Sequence, residues 1–221
     1  MAAQLEDTLV GGYRRLAAEA PRRRIDIELR ALDLLFAAFF GLLLLPVAAI
    51  IGLIILISSG RPVLYSGERV GRGARFFRMR KFRTLTRDAE SRLGPFLGEE
   101  LVRLTEEEYT RIGRWLKSSQ LDEIPQLWNV LLGDMSFVGP RPIRARFFSE
   151  LAGELPAYWQ RLVVRPGLTG FAQVRRGYET SMAEKLAHDL EWIADRSVPL
   201  YLRTLVSTGF RVLGQTLGRG T

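Results

Sequence analysis

From Leu32 to Ile57 the chain reads LDLLFAAFFGLLLLPVAAIIGLIILI, apolar on every face of a helix, with Asp33 as its one charge. That pattern predicts a membrane helix. At about 1.5 Å per residue the run reaches roughly 39 Å, enough for a hydrocarbon core of about 30 Å. The run starts too far from Met1, and lacks the small-residue cleavage signal, for a removable signal peptide. Pro46 sits near its middle, where it removes a backbone hydrogen bond and clashes with the preceding turn, so a kink is expected there. Arg22, Arg23, Arg24 and Arg30 precede the segment, and Arg61, Arg69, Arg72 and Arg75 follow it. The positive-inside rule puts both flanks in the cytoplasm. A helix that enters, bends at Pro46 and returns to the same face satisfies both signals, and a kinked spanning helix is the alternative.

The remainder alternates short elements. PVLYSGERVGRGARFFRMRKFR holds two apolar, aromatic-rich runs around Gly71 and Gly73, which predicts a β-hairpin. Residues 88–110 are acidic and read as a solvated connection running into a helix whose buried side carries Leu101, Leu104, Ile112 and Leu116. A second helix is expected from near Pro125 to Gly133, because proline suits the first helical turn and glycine the C-terminal cap. Asp122 and Glu123 fall at its N-terminal end. Beyond residue 150, WQRLVVRPGLTGFAQVRRGYE is turn-rich with a strand-like centre, and residues 181–195 and 199–217 carry two further helical patterns. The expected class is α+β and helix-dominated: a basic tail over 1–30, a membrane helix over 31–58 and a catalytic domain with an amphipathic C-terminal helix over 59–221.

Charge and composition narrow the chemistry. The 32 Lys and Arg exceed the 24 Asp and Glu, and the net charge of +8 favours an anionic partner, whether phosphate, nucleic acid or an acidic bilayer. The arginine-rich tail could lie on anionic headgroups or be mobile. With no cysteine, thiol nucleophiles, disulfides and cysteine-based zinc sites are excluded. The single histidine, His188, follows the helical pattern Met182, Leu186, Leu190, Ile193, where a helix-flank position outweighs a catalytic one. Serine-histidine-carboxylate and multi-histidine metal chemistry therefore start from a weak position.

The chemistry concentrates in Ser119-Gln120-Leu121-Asp122-Glu123-Ile124-Pro125-Gln126-Leu127-Trp128-Asn129-Val130-Leu131. Adjacent carboxylates at a helix N-terminus meet free backbone N–H groups and the positive end of the helix dipole, which also attracts phosphate and a divalent cation. On spacing alone, ordinary helix capping explains the pair better than catalysis does. Three cationic clusters add context: Lys81-Phe82-Arg83, Lys117 and Gly139-Pro140-Arg141-Pro142. Preorganised cations can hold phosphate oxygens and stabilise charge developing in phosphoryl transfer, although a solvated basic face accounts for any one cluster. Pro166-Gly167 and Gly170 read most simply as tight turns.

Taken together, KFRTLTRDAE, LDEIPQLWNVLLGDMSFVGPRP and VRPGLTGFAQV resemble the bacterial sugar transferase family, the monotopic polyprenyl-phosphate phosphoglycosyl transferases, over roughly residues 28–208. The resemblance implies a re-entrant helix at the cytoplasmic face of a bacterial inner membrane. It implies that Asp122 attacks the β-phosphate of a UDP-sugar, forms a phosphosugar-aspartyl intermediate and releases UMP, after which polyprenyl phosphate takes the sugar phosphate. The product would start a lipid-linked exopolysaccharide, O-antigen or glycoprotein glycan. By similarity Glu123 would join Asp122 in holding Mg²⁺ or handling protons, and Lys81, Arg83, Lys117 and Arg141 would contact phosphates. Two positions depart from the family: Lys117 stands where arginine is common, and Leu45 precedes Pro46 where many members have serine.

Two other classes compete. A membrane-tethered nucleic-acid-binding protein is motivated by Phe76-Phe77-Arg78-Met79-Arg80-Lys81-Phe82-Arg83, but leaves the carboxylate pair and both proline-rich motifs unexplained. The transferase reading therefore expects no nucleic acid, leaves a homo-oligomer open, and is separated from a non-catalytic membrane scaffold by UMP release. No motif reports which sugar is carried.

Overall fold

The computed structural model describes residues 24–93, 98–176 and 181–216, so most of the expected basic tail lies outside the described residues. The apolar run forms one helix, α1 (Ile25–Ser59), that starts ahead of Leu32 and contains Pro46. Asp26 and Glu28 in its first turn complement the helix dipole. The helix is long and apolar enough to cross a membrane. Its middle is bare: Phe39, Leu42, Leu43, Leu45 and Ile50 are all exposed.

Both ends of α1, in contrast, are buried against the same folded domain. Near the start, Leu29 and Ala37 pack into a cluster with Val130, Met135, Phe137 and Tyr201. Near the finish, Ile51 and Ile55 pack with Phe82 and Leu116. Full burial of such a side chain contributes about 2 kcal/mol, so each end is anchored by several apolar contacts. Asp33, the lone charge of the run, is 2% exposed and accepts hydrogen bonds from Ser136 Oγ (2.9 Å), the Phe137 N–H (3.0 Å) and the Tyr201 hydroxyl (2.9 Å).

The expected hairpin is present. Strands β1 (Leu64–Val70) and β2 (Phe76–Phe82) pair antiparallel, with Leu64 opposite Phe82 and Val70 opposite Phe76. The acidic connection breaks differently from the expected single helix. It forms α2 (Ala89–Leu93), α3 (Gly98–Glu107) and α4 (Arg111–Ser119). Between the last two, the Thr110 N–H donates to Thr84 O (3.0 Å), and its hydroxyl caps α4 by accepting from the Gly113 N–H (3.0 Å). A threonine in extended backbone with both groups so committed ends one helix and starts the next.

Helix α5 (Gln126–Leu132) follows, preceded by Pro125 and closed by Gly133 at φ 87°, as proline and glycine at these ends predict. Arg30 reaches its last turn, donating to Val130 O (2.6 Å) and Leu131 O (3.0 Å). Strand β3 (Ser136–Val138) leads through α6 (Ala145–Glu154) and a 3₁₀ segment (Pro156–Val163) to β4 (Gly167–Thr169). Strands β3 and β4 pair in parallel, a second small sheet that the strand-like centre of VRPGLTGF only hinted at. The two proline-glycine motifs, one read as a cationic cluster around Arg141 and the other as a tight turn, lie against each other there. Gly139 N–H donates to Thr169 O (2.9 Å) and Gly167 N–H to Pro140 O (3.0 Å). A Cβ on Gly167 would stand 2.2 Å from Gly139 N, and one on Gly139 would stand 2.4 Å from Arg165 O. Only glycine admits that approach. Three helices complete the described residues: α7 (Phe171–Arg176), α8 (Met182–Asp195), started by a Ser181–Glu184 capping box, and α9 (Val198–Thr216).

Candidate active site

Asp122 and Glu123 do not sit in the first turn of α5. They occupy a separate 3₁₀ turn, Leu121–Glu123, between α4 and α5. Gln120, at φ 58° and ψ 11°, ends α4 in the left-handed region and redirects the chain. The turn aims both carboxylates at β2. Lys81 Nζ donates to Glu123 Oε1 at 2.5 Å and lies 3.8 Å from Asp122 Oδ2. Arg141 Nη2 approaches the same Glu123 oxygen at 3.7 Å.

The lysine is held in register by Asn129, which is 1% exposed. Its Oδ1 accepts from the Arg80 N–H (3.0 Å) and its Nδ2 donates to Arg78 O (2.8 Å). The side chain thus extends the edge of β2 as a strand neighbour would, fixing α5 and its preceding turn against Lys81. Arg141 is fixed from behind: Arg161 donates to its carbonyl (3.0 Å) while bonding Asp189 (2.8 Å) and the Tyr158 hydroxyl (2.7 Å).

Electrostatics separate the two carboxylates. Burial pushes the Asp122 carboxyl above its ordinary value, against the pull of Lys81 and Lys117. Burial opposes ionisation of Glu123 as well, but Lys81 and Arg141 outweigh it and hold its pKa at about 2. For Lys81 burial lowers the pKa while Glu123 resists. With the ammonium on a carboxylate at 2.5 Å, we read the Lys81–Glu123 pair as ionised. Asp122 is 2% exposed, and its Oδ1 is buried without a hydrogen-bond partner. A buried carboxylate with a raised pKa and an uncommitted oxygen makes Asp122 a candidate for chemistry.

The pair stands in the wall of a cavity of about 880 Å³, with Lys81, Lys117 and Arg141 around it. Arg83 lines the same cavity, yet its Nη2 donates to Ser59 O (2.7 Å) and Gly60 O (2.8 Å), so these donors tie down the end of α1. The expectation of a phosphate contact from Arg83 meets a side chain already engaged with the helix. Gln126, which the sequence reading left without a role, lines the cavity with its Nε2 buried and unpartnered. No helical period pointed to it, because Asp122 lies on the separate 3₁₀ turn and Gln126 opens α5.

Among the described residues no cluster of three or more His, Cys, Asp or Glu could hold a metal. Magnesium asks less: it is commonly held by one or two carboxylates, with substrate phosphates and waters supplying the rest. Asp122, with its unpartnered Oδ1, and Glu123 are compatible with that mode.

Residues 26–215 match the bacterial sugar transferase family. The chain belongs to that family. Among relatives, it is 36% identical over 180 residues to UDP-N-acetylgalactosamine-undecaprenyl-phosphate N-acetylgalactosaminephosphotransferase of Aeromonas hydrophila, covering 80% of this chain and 41% of that protein. It is 36% identical over 196 residues to UDP-glucose:undecaprenyl-phosphate glucose-1-phosphate transferase of Caulobacter vibrioides, covering 85% of this chain and 72% of the relative. It is also 36% identical to exopolysaccharide production protein PSS of Rhizobium leguminosarum bv. phaseoli, covering 86% of this chain and 96% of the relative. The chain thus spans less than half the length of the Aeromonas protein. As a bacterial sugar transferase, it carries the whole carboxylate-lysine-arginine site within the matched region.

Proposed function

We propose that this chain transfers a sugar 1-phosphate from a UDP-sugar to undecaprenyl phosphate through a covalent intermediate on Asp122. The observation that carries the reading is the buried Asp122 carboxylate, with Oδ1 unpartnered, in the wall of a large cavity ringed by Lys81, Lys117 and Arg141. Relatives named for UDP-glucose, UDP-N-acetylgalactosamine and undecaprenyl phosphate support the substrate classes.

Asp122 Oδ1 attacks the β-phosphorus, an O–P bond forms, and the bond from that phosphorus to the bridging oxygen breaks. UMP leaves with the electron pair. An oxygen of the lipid phosphate then attacks the same phosphorus, and the carboxylate departs unchanged. Lys81, Lys117 and Arg141 offset the charge on the transferred group, and Glu123 holds Lys81 in place. Mg²⁺ held by Asp122 and Glu123 would neutralise the diphosphate when bound.

The buried ends of α1 support a re-entrant helix. Leu29 and Asp33 near one end, and Ile51 and Ile55 near the other, pack on one domain, while the residues around Pro46 that are exposed are apolar. A straight bilayer crossing would separate those ends by the hydrocarbon thickness and pull one off the domain. Both ends then face the cytoplasm, with the exposed centre bent at Pro46 into the inner membrane and anionic lipids against the basic flanks.

The test is incubation with UDP-sugars, Mg²⁺ and undecaprenyl phosphate. UMP release, and a phosphosugar adduct on the Asp122 peptide when the lipid is withheld, are expected. Turnover without adduct, and without exchange of labelled UMP into UDP-sugar, removes the covalent step. No UMP from any UDP-sugar removes the activity.

A further inference from the structure

A second cavity, of about 240 Å³, lies beyond the active site between α4, α7, α8 and α9. It shares Lys117, Glu123, Arg141 and Leu168 with the larger one, so the two meet at the cations beside the carboxylates. We propose that this smaller cavity receives the sugar ring of the nucleotide-sugar, and that Gln173 and Thr208 in its wall select which sugar is accepted. The inference rests on the UDP-sugar reading above and names the part of the site that reads the ring.

Three observations carry it. A nucleotide-sugar has one bulky group on each side of a diphosphate, and the protein has one cavity on each side of a shared cationic wall. Relative size favours the larger cavity for the nucleotide end. At about 30 Å³ per water, the smaller cavity holds on the order of eight waters, which suits one pyranose ring with its substituents and is too small for a polyprenyl chain. Its lining also has the chemistry of a sugar site. Gln173 Oε1 is buried without a hydrogen-bond partner, so an acceptor is waiting for a donor, and a sugar hydroxyl supplies one. The Thr169 and Thr208 hydroxyls, 2.8 Å apart, form a second polar point. Ala172, Val174 and Leu186 provide apolar surface for the C–H face of the ring. A site built to hydrogen-bond a hydroxyl rejects the epimer that leaves the buried group unpaired, so these positions govern preference as well as affinity.

The experiment compares wild type with Gln173→Ala, Thr208→Val and the cavity-filling Val174→Phe on UDP-glucose, UDP-galactose and UDP-N-acetylgalactosamine. We expect Gln173→Ala and Thr208→Val to change the ratio of kcat/KM between sugars by about tenfold, the scale of one lost buried hydrogen bond. Val174→Phe should reject the N-acetylated sugar most. Inhibition by UMP, which has no sugar ring, should stay unchanged in all three and doubles as the check that each variant is folded. Unchanged sugar ratios in variants that still bind UMP overturn the proposal. A raised KM for undecaprenyl phosphate with the sugar ranking intact overturns it in favour of an acceptor site, and weakened UMP inhibition in favour of a nucleotide site. A wild-type protein that consumes no UDP-sugar overturns the functional reading itself, which these other outcomes leave standing.

Discussion

The Lys81 ammonium donates to Glu123 Oε1 at 2.5 Å, joining the second strand of the hairpin to the turn that carries Asp122. Glu123 thereby holds the cation near its neighbour without neutralising that neighbour itself. The two adjacent carboxylates differ in their pairing: Lys81 donates to Glu123 at 2.5 Å and stands 3.8 Å from Asp122.

Replacing Asp122 with Asn should reduce UMP release by about a thousandfold or more, since an amide cannot serve as the nucleophile. Folding should not suffer. The raised pKa means that burial of the charged form works against the native state. Removing the charge should therefore leave Tm at pH 7 equal to or above that of wild type. A large loss of Tm would show that the ionised carboxylate holds the fold together.

The pH dependence follows from the same shifts. Asp122 must be ionised to attack, so kcat/KM should fall as pH drops through a pKa above its ordinary 3.8. Glu123, at about 2, stays ionised through that range and does not set the limb. For stability the signs are opposite. The depressed Glu123 pKa gives stabilisation that is full above its unfolded value of 4.5 and is lost as pH falls through about 2. The raised Asp122 pKa gives a penalty present at neutral pH and relieved by acid. Any Tm gain of Asp122→Asn should accordingly vanish below pH 3.8, which thermal scans across pH can check.

Asp33→Ala should destabilise the protein in detergent by about 3 kcal/mol, because it strands the Ser136 hydroxyl, the Phe137 N–H and the Tyr201 hydroxyl. Asp33→Asn keeps an accepting oxygen and should lose less. Equal losses in thermal unfolding would mean that the charge, rather than the hydrogen bonds, secures α1.

Single cysteines at Ile27 and Leu64, which flank the apolar centre of α1, should label from the same side of the membrane. Labelling from opposite sides restores a spanning helix. Pro46→Ala, which restores the missing N–H, should shift the population toward that outcome.

Gly167→Ala should lower both Tm and activity, the latter by at least about tenfold, since a misplacement near 1 Å can cost a hundredfold. The added Cβ would lie 2.2 Å from Gly139 N, and the backbone carrying Arg141 must move to admit it. Retained activity would show that the placement of Arg141 tolerates such a shift.

Local pattern was enough for much of this molecule. The unbroken apolar run specified a long helix, the paired aromatic runs about Gly71 and Gly73 a hairpin, and Pro125 with Gly133 the limits of α5, because each signal acts through the backbone of its own segment. The order of the motifs carried the family. Contacts between distant segments were not written in any local period. The sequence contains both proline-glycine motifs, but their pairing depends on two glycines 28 residues apart whose fit is a matter of space. Arg83 looked like Lys81 along the chain, but it lies just past the end of β2, where its Nη2 donates to Ser59 O and Gly60 O. The different pairing of Asp122 and Glu123 was likewise set by which of them Lys81 reached. A charge acquires its role from burial and partners, and those are decided only when the chain has closed on itself.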